Sequence, residues 1–491
     1  MKLSKEKIAI YLLLLLTFAK GLFWSNVIPI FQTPDEQCHY ANVQHYAEPK
    51  NYQPQSHNFP IKETDLYNYK TQNLSPELMA VLEKTFFEKV RFNYQLTAVF
   101  KEGSLNGSGE EGIRKEKLSR FILKYPPWGT NYSPQYYSSA AFLENTFSDL
   151  SIFERVYIIR FFSVLIMVLL IFIGYLCFKE LSLSSKESLL LAAALSFQPM
   201  LTFITSSINI DSMLFLGFFI FILGGLKFIK RFSFATLLFM IVGIWLGCQA
   251  KPSGYFMIPV FLVLLLYALT TNVNLKVFSR KTLALKNGLS KKLILKYAGV
   301  GTAILIGIFA LIKFLKMSLG YFKNLEAFKN LPNQLLKQAE YENTLRRSFS
   351  YWGDFGWLDT YLKFSYIVGI WILLGISTMG FIFYLKNQYQ EQKKGIPSTR
   401  KHLHQLIFLL IMLVGVNFMI YFMNLYYPTL DYQGRYFFPS IIAKFALIGF
   451  GLSYFFKKFI SREQTLLVLF IIMLFLNMIS LFGFLIPRYY L

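Results

Sequence analysis

Two adjacent carboxylates and an imidazole follow the first apolar stretch of the chain. Residues 8–31 are predominantly apolar and lead directly into Thr33-Pro34-Asp35-Glu36, with His39 four positions after Asp35. A carboxylate held where the chain leaves a membrane could take a proton from a hydroxyl group during catalysis. Ionisable groups at such a boundary are candidates for a functional site, although the start of a solvated loop is an equally good interpretation of this motif.

Three basic residues from distant parts of the sequence could serve the same chemistry. Arg160 lies more than a turn inside the second apolar stretch, Lys251 falls between the fifth and sixth, and Arg435 precedes the tenth. If these cations converge on one face with Asp35, they could hold a phosphate or pyrophosphate group beside a general base. Snorkelling to lipid phosphates is the alternative for any one of them, and it is the preferred interpretation for Arg155.

The elements that must position these residues are predicted transmembrane helices. The chain has 491 residues, of which 54% are hydrophobic and 16% are charged. Apolar stretches of about 20 residues, long enough to cross roughly 30 Å of hydrocarbon, recur throughout the sequence. About eleven can be counted, at residues 8–31, 155–178, 188–208, 211–229, 234–250, 253–271, 297–317, 365–386, 405–426, 438–456 and 465–486. The chain is therefore predicted to be an all-α polytopic membrane protein, with one integral membrane domain over residues 1–491.

The distribution of lysine and arginine predicts the orientation of this bundle. Short basic loops stay on the cytoplasmic side of a membrane, and with the N-terminus inside, every short basic connection of this chain falls on that side. The long segments 32–150 and 318–364 then face outward, together with Asp35. The net charge of +23 is explained by basic residues that lie beside the spans, where they set the topology and contact anionic lipid. Nucleic acid is therefore not an expected partner.

The external segment 32–150 is too long to be a simple connector and is expected to fold against the membrane. Ser75-Pro76 predicts a helix start, because serine caps helices and proline suits the first helical position. Apolar residues then recur at helical spacing, which predicts an amphipathic helix near residues 75–94. In the later stretch Pro134-Gln135-Tyr136-Tyr137, interfacial anchoring is the preferred role of the aromatic residues, and a platform for sugar rings is the alternative.

Four blocks of the sequence together resemble a family of bacterial membrane proteins, the domain-of-unknown-function 2142 family. The blocks are Thr-Pro-Asp-Glu at 33–36 followed by His39, Ser-Ile-Asn-Ile-Asp at 207–211, Trp-Gly-Asp-Phe-Gly-Trp-Leu-Asp at 352–359, and Tyr-Gln-Gly-Arg-Tyr at 432–436. They keep the family's order and span nearly the whole chain. That family resembles the GT-C glycosyltransferases, which use polyprenyl-phosphate sugars as donors and carry a catalytic acidic residue on the first external loop.

The resemblance implies a GT-C-like bundle and a role for each acidic residue of the first block. Asp35 is implied to be the general base, with Glu36 as the second candidate. His39 could orient the carboxylate from the same helical face, pack in the interior, or join a metal site, in that order of preference. No nucleotide is needed for such a reaction, and the participation of a divalent metal ion is left open.

The implied activity is inverting transfer of a sugar from a polyprenyl-phosphate donor to an extracytoplasmic glycan or glycoconjugate acceptor, such as a cell-surface polysaccharide or teichoic acid. Asp35 would take the proton of the acceptor hydroxyl, while Arg160, Lys251 and Arg435 would bind the donor phosphate. The candidate substrate-binding residues are Asn209, Asp211, Trp352, Asp354, Trp357, Asp359, Tyr432 and Gln433. The two tryptophans could stack on the sugar, and packing of their loop onto the bundle is an equal alternative.

Two other functions remain open from the sequence. A transporter or flippase of lipid-linked saccharides would share the cationic rim, but it would need polar groups near the membrane midplane, whereas the polar features of this chain lie mostly at the predicted outer ends of spans. A non-catalytic subunit of a surface-polymer assembly complex would tolerate loss of both Asp35 and Glu36. The expected location is the bacterial plasma membrane, with the N-terminus cytoplasmic and the site extracytoplasmic.

Overall fold

The computed structural model describes residues 4–49, 74–85, 87–91, 93, 118–121, 132–272, 341–395, 397–426 and 433–491. The helices of this part of the chain are α1 (Lys5–Val27), α2 (Glu36–Ala47), α3 (Pro76–Lys84), α4 (Phe87–Val90), α5 (Pro134–Thr146), α6 (Ile152–Glu180), α7 (Ser185–Ser196), α8 (Pro199–Thr205), α9 (Asp211–Lys230), α10 (Phe234–Ala250), α11 (Met257–Asn272), α12 (Tyr341–Trp352), α13 (Phe364–Lys393), α14 (Pro397–Tyr426), α15 (Ile441–Phe455), α16 (Arg462–Met478) and α17 (Ile486–Tyr490). Shorter elements join them: 3-10 helices at Pro252–Phe256 and Gly434–Ser440, a π-helix at Ile479–Leu485, and an antiparallel pair of strands, β1 (Asp354–Phe355) and β2 (Thr360–Tyr361).

Seven helical stretches among the described residues are long and apolar enough to cross a membrane. They are α1, α6, α9, α13, residues 399–421 of α14, α15 with the 3-10 helix before it, and the continuous run from α16 to α17. The bent pair α7–α8 could supply an eighth, and α10 and α11 are shorter apolar helices. The all-α polytopic membrane fold is therefore confirmed, whereas the count of eleven spans is not. The predicted span at 297–317 lies outside the described residues.

Glycine lets α9 and α10 approach each other closely. A Cβ atom built on Gly217 would lie 2.6 Å from the backbone nitrogen of Gly247, and one built on Gly243 would lie 2.6 Å from the carbonyl oxygen of Gly217. Small residues commonly bring membrane helices into backbone contact in this way. Because α9 and α10 are consecutive and antiparallel, the first residue of α9, Asp211, and the residue after α10, Lys251, come to the same end of the bundle.

A bend of 66° between α7 and α8 brings polar groups inside the bundle. Nζ of Lys20, on α1, donates hydrogen bonds to the carbonyl oxygen of Ser196 at the end of α7 and to the hydroxyl of Thr202, the latter at 2.8 Å. Asn477 of α16 donates to the same hydroxyl at 3.3 Å. An ammonium group at a helix C-terminus stabilises the free carbonyl groups there and the negative end of the helix dipole. The prediction that polar features lie mostly at the outer ends of spans is therefore wrong for this region.

Ion pairs group the helix ends into two sets. At one end, the pairs found among the described residues join segments that the sequence predicts to be cytoplasmic, among them Lys179 with Glu6 at 2.5 Å, Lys186 with Glu463 at 3.1 Å, and Lys230 with Glu180 at 3.2 Å. The opposite end carries Asp35, Asp211 and Arg435, together with the helices of the first external segment. The orientation of this bundle relative to the cell stays a prediction.

The external helices supply partners for the first turn of α6. Arg155 pairs there with Glu77 of α3 and Glu144 of α5, and only 2% of the arginine is exposed. The preferred interpretation that Arg155 snorkels to lipid is therefore wrong, because Glu77, 78 residues away in sequence, and Glu144 of the preceding helix provide its carboxylates. The helix α3 starts directly after Ser75, whose hydroxyl accepts a hydrogen bond from the backbone N–H of Leu78 at 3.1 Å.

Candidate active site

Asp35 stands directly before α2 in a left-handed backbone conformation, with φ of 67° and ψ of 5°. Non-glycine residues adopt this region infrequently, and such positions cluster at functional sites. An aspartate in this position usually accepts a hydrogen bond from the first turn of its own helix, but this carboxylate makes none. Its Oδ2 instead accepts a hydrogen bond from Nη2 of Arg435 at 2.7 Å, while 39% of the side chain is exposed. The carboxylate is therefore both accessible and oriented by a cation.

Arg435 lies in the 3-10 helix before α15, and the glycine before it fixes the backbone there. A Cβ atom on Gly434 would lie 2.2 Å from the backbone nitrogen of Tyr351 in α12, so no larger residue fits without a shift of the main chain. The N–H of Gly434 also donates a hydrogen bond to Oγ of Ser350. Docking against α12 thus sets the position from which Arg435, itself only 3% exposed, reaches Asp35.

Asp211 contributes a second carboxylate to the same place. Its Oδ1 lies 2.5 Å from Nζ of Lys251, and its Oδ2 lies 3.6 Å from Nε of Arg435. The backbone N–H of Asp211 donates to Oδ1 of Asn209 at 2.8 Å, which stabilises the turn before α9. Asp35, Asp211, Lys251 and Arg435 come from four separate segments and form one group of charges, which we call the open cluster.

Two properties of the open cluster suit it to an anionic ligand and to proton transfer. Nη1 of Arg435 is buried and has no hydrogen-bond partner among the described residues, which is uncommon for a polar atom in a protein interior. Burial acts to raise the pKa of Asp35, but the net shift is downward, and the charge of Arg435 is the largest of the effects that lower it. Asp35 is therefore ionised at neutral pH.

Glu36, one residue further along, forms a different kind of pair. Its Oε1 accepts a hydrogen bond from Nε of Arg160 at 2.7 Å and its Oε2 accepts one from Nη2 at 2.6 Å, and neither side chain is exposed. The backbone N–H groups of Phe31 and Ile208 donate to the same carboxylate at 2.8 and 3.0 Å. Arg160 also donates to three carbonyl oxygens at the end of α1, those of Ser25, Ile28 and Pro29. In this closed pair, Glu36 and Arg160 connect α6 to the chain around α1 and α9.

The structure does not bring Arg160 into the predicted phosphate site with Lys251 and Arg435.

His39 lies beside the open cluster, but its ring contacts another residue. Nδ1 forms a hydrogen bond with the hydroxyl of Tyr137 at 2.9 Å, whereas only the backbone N–H of His39 bonds to Asp35, through its carbonyl oxygen at 3.0 Å. Burial lowers the pKa of His39 to about 4, although the charge of Asp35 opposes this shift. His39 is therefore neutral at pH 7 and joins α2 to α5.

The predicted sugar-stacking residues are buried against protein in this structure. Trp352 and Trp357 are 3% and 7% exposed, and Nε1 of Trp357 donates a hydrogen bond to the carbonyl oxygen of Phe31 at 3.0 Å. Asp359, another predicted substrate-binding residue, pairs with Arg488 at 3.1 Å. These contacts fit packing of the loop onto the bundle, which was the alternative role for the tryptophans.

Three other predicted substrate-binding residues keep buried polar atoms without a hydrogen-bond partner among the described residues. These atoms are Nδ2 of Asn209, Oδ1 of Asp354 and Oε1 of Gln433. Burial, and then the charge of Asp359, raises the pKa of Asp354 to about 8, so this carboxyl group is largely protonated at neutral pH and can donate as well as accept a hydrogen bond. Tyr432 lies outside the described residues.

Sequence reasoning missed Tyr436 and Arg488. The ring of Tyr436 faces two cations of the open cluster, with its centroid 5.4 Å from Lys251 and 5.6 Å from the guanidinium of Arg435. Its place in the Tyr-Gln-Gly-Arg-Tyr block could have identified it. Arg488 pairs with Asp359 across a sequence separation of 129 residues, and no local pattern predicts that contact.

The donor set of the open cluster does not match that of a metal site. Within the described parts of the chain, no three His, Cys, Asp or Glu side chains lie close enough together to hold a metal ion. The two carboxylates, Asp35 and Asp211, each contact a basic side chain instead.

Fold and site together define a polytopic membrane protein with a charged cluster at one end of its helical bundle. The chain belongs to the DUF2142 family of predicted membrane proteins, whose sequence profile matches residues 18–443 and so includes the whole open cluster. Comparison with curated protein sequences finds no match.

One solved structure that is similar to the chain is a crystal structure of the Archaeoglobus fulgidus oligosaccharyltransferase in complex with zinc and sulfate. The identity is 13% and the TM-score is 0.43, over 94% of this chain and 52% of the other. The chain thus spans about half the length of the structure it matches. No function follows from a similarity of this size.

Proposed function

We propose that this protein transfers a sugar from a polyprenyl-phosphate donor to a hydroxyl group of an acceptor at the outer face of the membrane, with inversion at the anomeric carbon. The observation that carries the proposal is the pair of Asp35 and Arg435, in which an accessible carboxylate lies 2.7 Å from a buried guanidinium group. A general base and a phosphate-binding cation are then neighbours, as transfer from a lipid phosphate requires.

In the proposed reaction, the acceptor hydroxyl attacks the anomeric carbon and gives its proton to Asp35. The bond between that carbon and the phosphate oxygen breaks, and the lipid phosphate departs as an anion. Arg435 and Lys251 stabilise the negative charge that develops on the departing phosphate. The donor enters from the membrane and the acceptor from the aqueous side, so alignment of the two contributes together with proton transfer.

The pairing of Asp35 with Arg435 also suggests how donor binding prepares the base. Arg435 helps to lower the pKa of Asp35, and a low pKa makes a carboxylate a weak base. A donor phosphate that draws on the same guanidinium weakens this effect, so the pKa of Asp35 rises when the donor is bound. The carboxylate then becomes more basic only when there is a sugar to transfer.

Other residues of the sequence-based site take supporting roles in this proposal. Glu36 and Arg160 stabilise the fold beneath the site, since all their polar contacts are made within the protein. Asn209, Asp354 and Gln433 retain polar atoms for contacts with sugar hydroxyl groups.

A specific observation favours transport of a lipid-linked saccharide as the second candidate. Transporters often have interrupted helices and polar groups within the membrane, and Lys20 at the bend between α7 and α8 is such a feature. Proteoliposomes distinguish the two functions, because movement of the intact lipid-linked sugar without a covalent product would support transport and contradict transfer.

Asp35→Asn tests the assignment of the base, since it keeps the shape of the side chain and removes its basicity. With purified protein and a defined polyprenyl-phosphate sugar, we expect product formation to fall at least about 100-fold, the usual effect of losing a general base. Asp149→Asn is the matched control, because Asp149 is exposed outside the cluster. A folded Asp35→Asn protein that transfers sugar at nearly the wild-type rate would refute the assignment.

Arg435→Ala tests the proposed contact with the donor. Loss of charge-assisted hydrogen bonds to phosphate should raise the KM for the donor by roughly 10-fold to 100-fold, with a smaller change in the KM for the acceptor. Unchanged donor KM would mean that Arg435 serves only to hold Asp35 and Asp211.

A further inference from the structure

A cavity lies at the end of the bundle opposite the open cluster. Its volume is about 480 Å³, and it is situated between the C-terminal half of α13 and the turn that follows α15. The lining residues are of two kinds, basic or polar and aromatic: Lys386, Asn387, Gln390, Lys457 and Lys458, with Phe383, Tyr454 and Phe455. This end of the bundle is the one that the sequence predicts to be cytoplasmic.

The charge in this cavity is unbalanced. Within the described residues, none of its three lysines forms an ion pair with a carboxylate, and Nζ of Lys457 lies over the ring of Tyr454 at 3.6 Å from its centroid. Glu391 of the same helix accepts a hydrogen bond from Asn387 at 2.9 Å. Three ammonium groups around one space repel one another, and an anion held between them would relieve that repulsion.

The wall formed by α13 changes character along its length. Met379, Phe383, Lys386 and Gln390 are spaced at intervals of three or four residues and therefore lie on one face of the helix. Met379 and Phe383 are 49% and 48% exposed, although both are apolar. Phe383 forms the apolar edge of the cavity, and its first basic residue, Lys386, lies about one turn further on. An apolar strip that leads into a basic cavity matches a phospholipid, whose acyl chains end in a phosphate headgroup.

We propose that this cavity is a binding site for an anionic phospholipid. The phosphate headgroup lies between Lys386 and Lys458, and an acyl chain follows the strip of Met379 and Phe383 toward the middle of the bundle. Basic pockets between membrane helices at the cytoplasmic side bind anionic headgroups by the same electrostatics. This site is separate from the open cluster and does not depend on the proposed glycosyl transfer.

Native mass spectrometry of the purified full-length protein in detergent tests the proposal, with dioleoylphosphatidylglycerol as the probe and dioleoylphosphatidylcholine as the zwitterionic comparison. We expect the wild-type protein to bind the anionic lipid several-fold more tightly. The variant Lys386→Ala/Lys458→Ala should weaken that binding about tenfold. Lys5→Ala/Lys7→Ala removes the same charge from exposed positions on α1, outside the cavity, and should bind as the wild type does.

Two further arms separate the alternatives. Phe383→Ala should weaken lipid binding, and millimolar inorganic phosphate should not displace the lipid. If phosphate displaces the lipid and Phe383→Ala has no effect, the cavity binds a free anion, and the lipid assignment is overturned. Equal binding of the two lipids, or equal losses in the two double-lysine variants, would overturn the site itself. If Lys386→Ala/Lys458→Ala does not elute as a folded protein, Lys386→Gln/Lys458→Gln and the charge-retaining Lys386→Arg/Lys458→Arg provide the same test, with binding lost in the first and kept in the second.

Discussion

Asp35 and Glu36 are neighbours in sequence, yet their carboxylates lie in opposite environments. In the closed pair, Glu36 meets Arg160 through two hydrogen bonds, two backbone N–H groups complete its shell, and neither side chain is exposed. In the open cluster, Asp35 meets Arg435 through one hydrogen bond and remains 39% exposed, and Nη1 of the arginine has no hydrogen-bond partner among the described residues.

The difference teaches how a chain can use two similar acid–base pairs for different purposes. A buried ion pair is tolerated only when every polar atom is satisfied, and such a pair then fixes the positions of the segments that it joins. A pair that is partly exposed and has a polar atom without a hydrogen-bond partner can instead form hydrogen bonds with a ligand. The closed pair therefore serves the fold, and the open cluster is the better candidate for chemistry.

The largest expected difference is in stability. Glu36→Gln leaves Arg160 buried without a counter-charge, and loss of one partner of a buried pair costs about 3–5 kcal/mol of the free energy of unfolding. Asp35→Asn should cost about 1 kcal/mol or less, because its pair is partly exposed to solvent. Denaturant unfolding of both variants in one detergent measures the two losses. Equal losses would erase the distinction between the closed pair and the open cluster.

Acid should affect the region of the open cluster through His39. The pKa of this residue is about 4 in the folded protein and about 6.5 in an unfolded chain, so the unfolded state binds more protons between these values. His39 therefore contributes stability that is present above pH 6.5 and is lost as the pH falls toward 4, by up to about 3 kcal/mol. The free energy of unfolding of the wild type minus that of His39→Gln, measured at several pH values across this range, gives the contribution. A pH-independent difference would mean that His39 is not buried in its neutral form.

Gly434 tests whether the open cluster depends on backbone contact. Gly434→Ala places a Cβ atom against the main chain at Tyr351, which should cost about 1–3 kcal/mol and displace Arg435 from Asp35. Gly369→Ala is the control, because a Cβ atom there has no neighbour within 4 Å. The midpoint temperature of thermal unfolding and the rate of sugar transfer should both fall in Gly434→Ala and stay at the wild-type values in Gly369→Ala. Full activity of Gly434→Ala would show that the guanidinium reaches its partners from a shifted backbone.

The smallest expected loss of stability comes from a hydrogen bond next to the closed pair. Trp357→Phe removes the hydrogen bond to the carbonyl oxygen of Phe31, whose N–H binds Glu36, and loss of one such bond costs about 1 kcal/mol. Trp245→Phe, on an exposed face of α10, should change stability less. A large loss of sugar transfer by a stable Trp357→Phe protein would instead support the predicted stacking role.

Much of the fold could be predicted because its signals are local. Long apolar stretches predicted the membrane-spanning α-helices, and Ser75-Pro76 predicted the residue at which α3 begins. The bend between α7 and α8 was missed, since the apolar stretch at 188–208 continues through Phe197-Gln198-Pro199 and conceals a break that Lys20 and Thr202 stabilise from other helices.

The candidate site was predicted in part. Lys251, Arg435, Asp35 and Asp211 do meet, as their positions at the ends of predicted spans suggested. Arg160 is also basic and close to a span end, which predicts the same site, but it lies deeper and its partner is Glu36. Position along a span indicates depth only, and it does not indicate the direction in which a side chain faces.

The sequence by itself determined that this chain is a helical membrane protein and which acidic and basic residues stand near the ends of its helices, because hydrophobicity and charge are properties of each segment. Only the tertiary structure decided which carboxylate meets which cation. Asp35 and Glu36 differ by one position, but their partners lie 400 and 124 residues away. Those pairings depend on the packing of α6, α9 and the 3-10 helix before α15 around α2, which no local pattern contains.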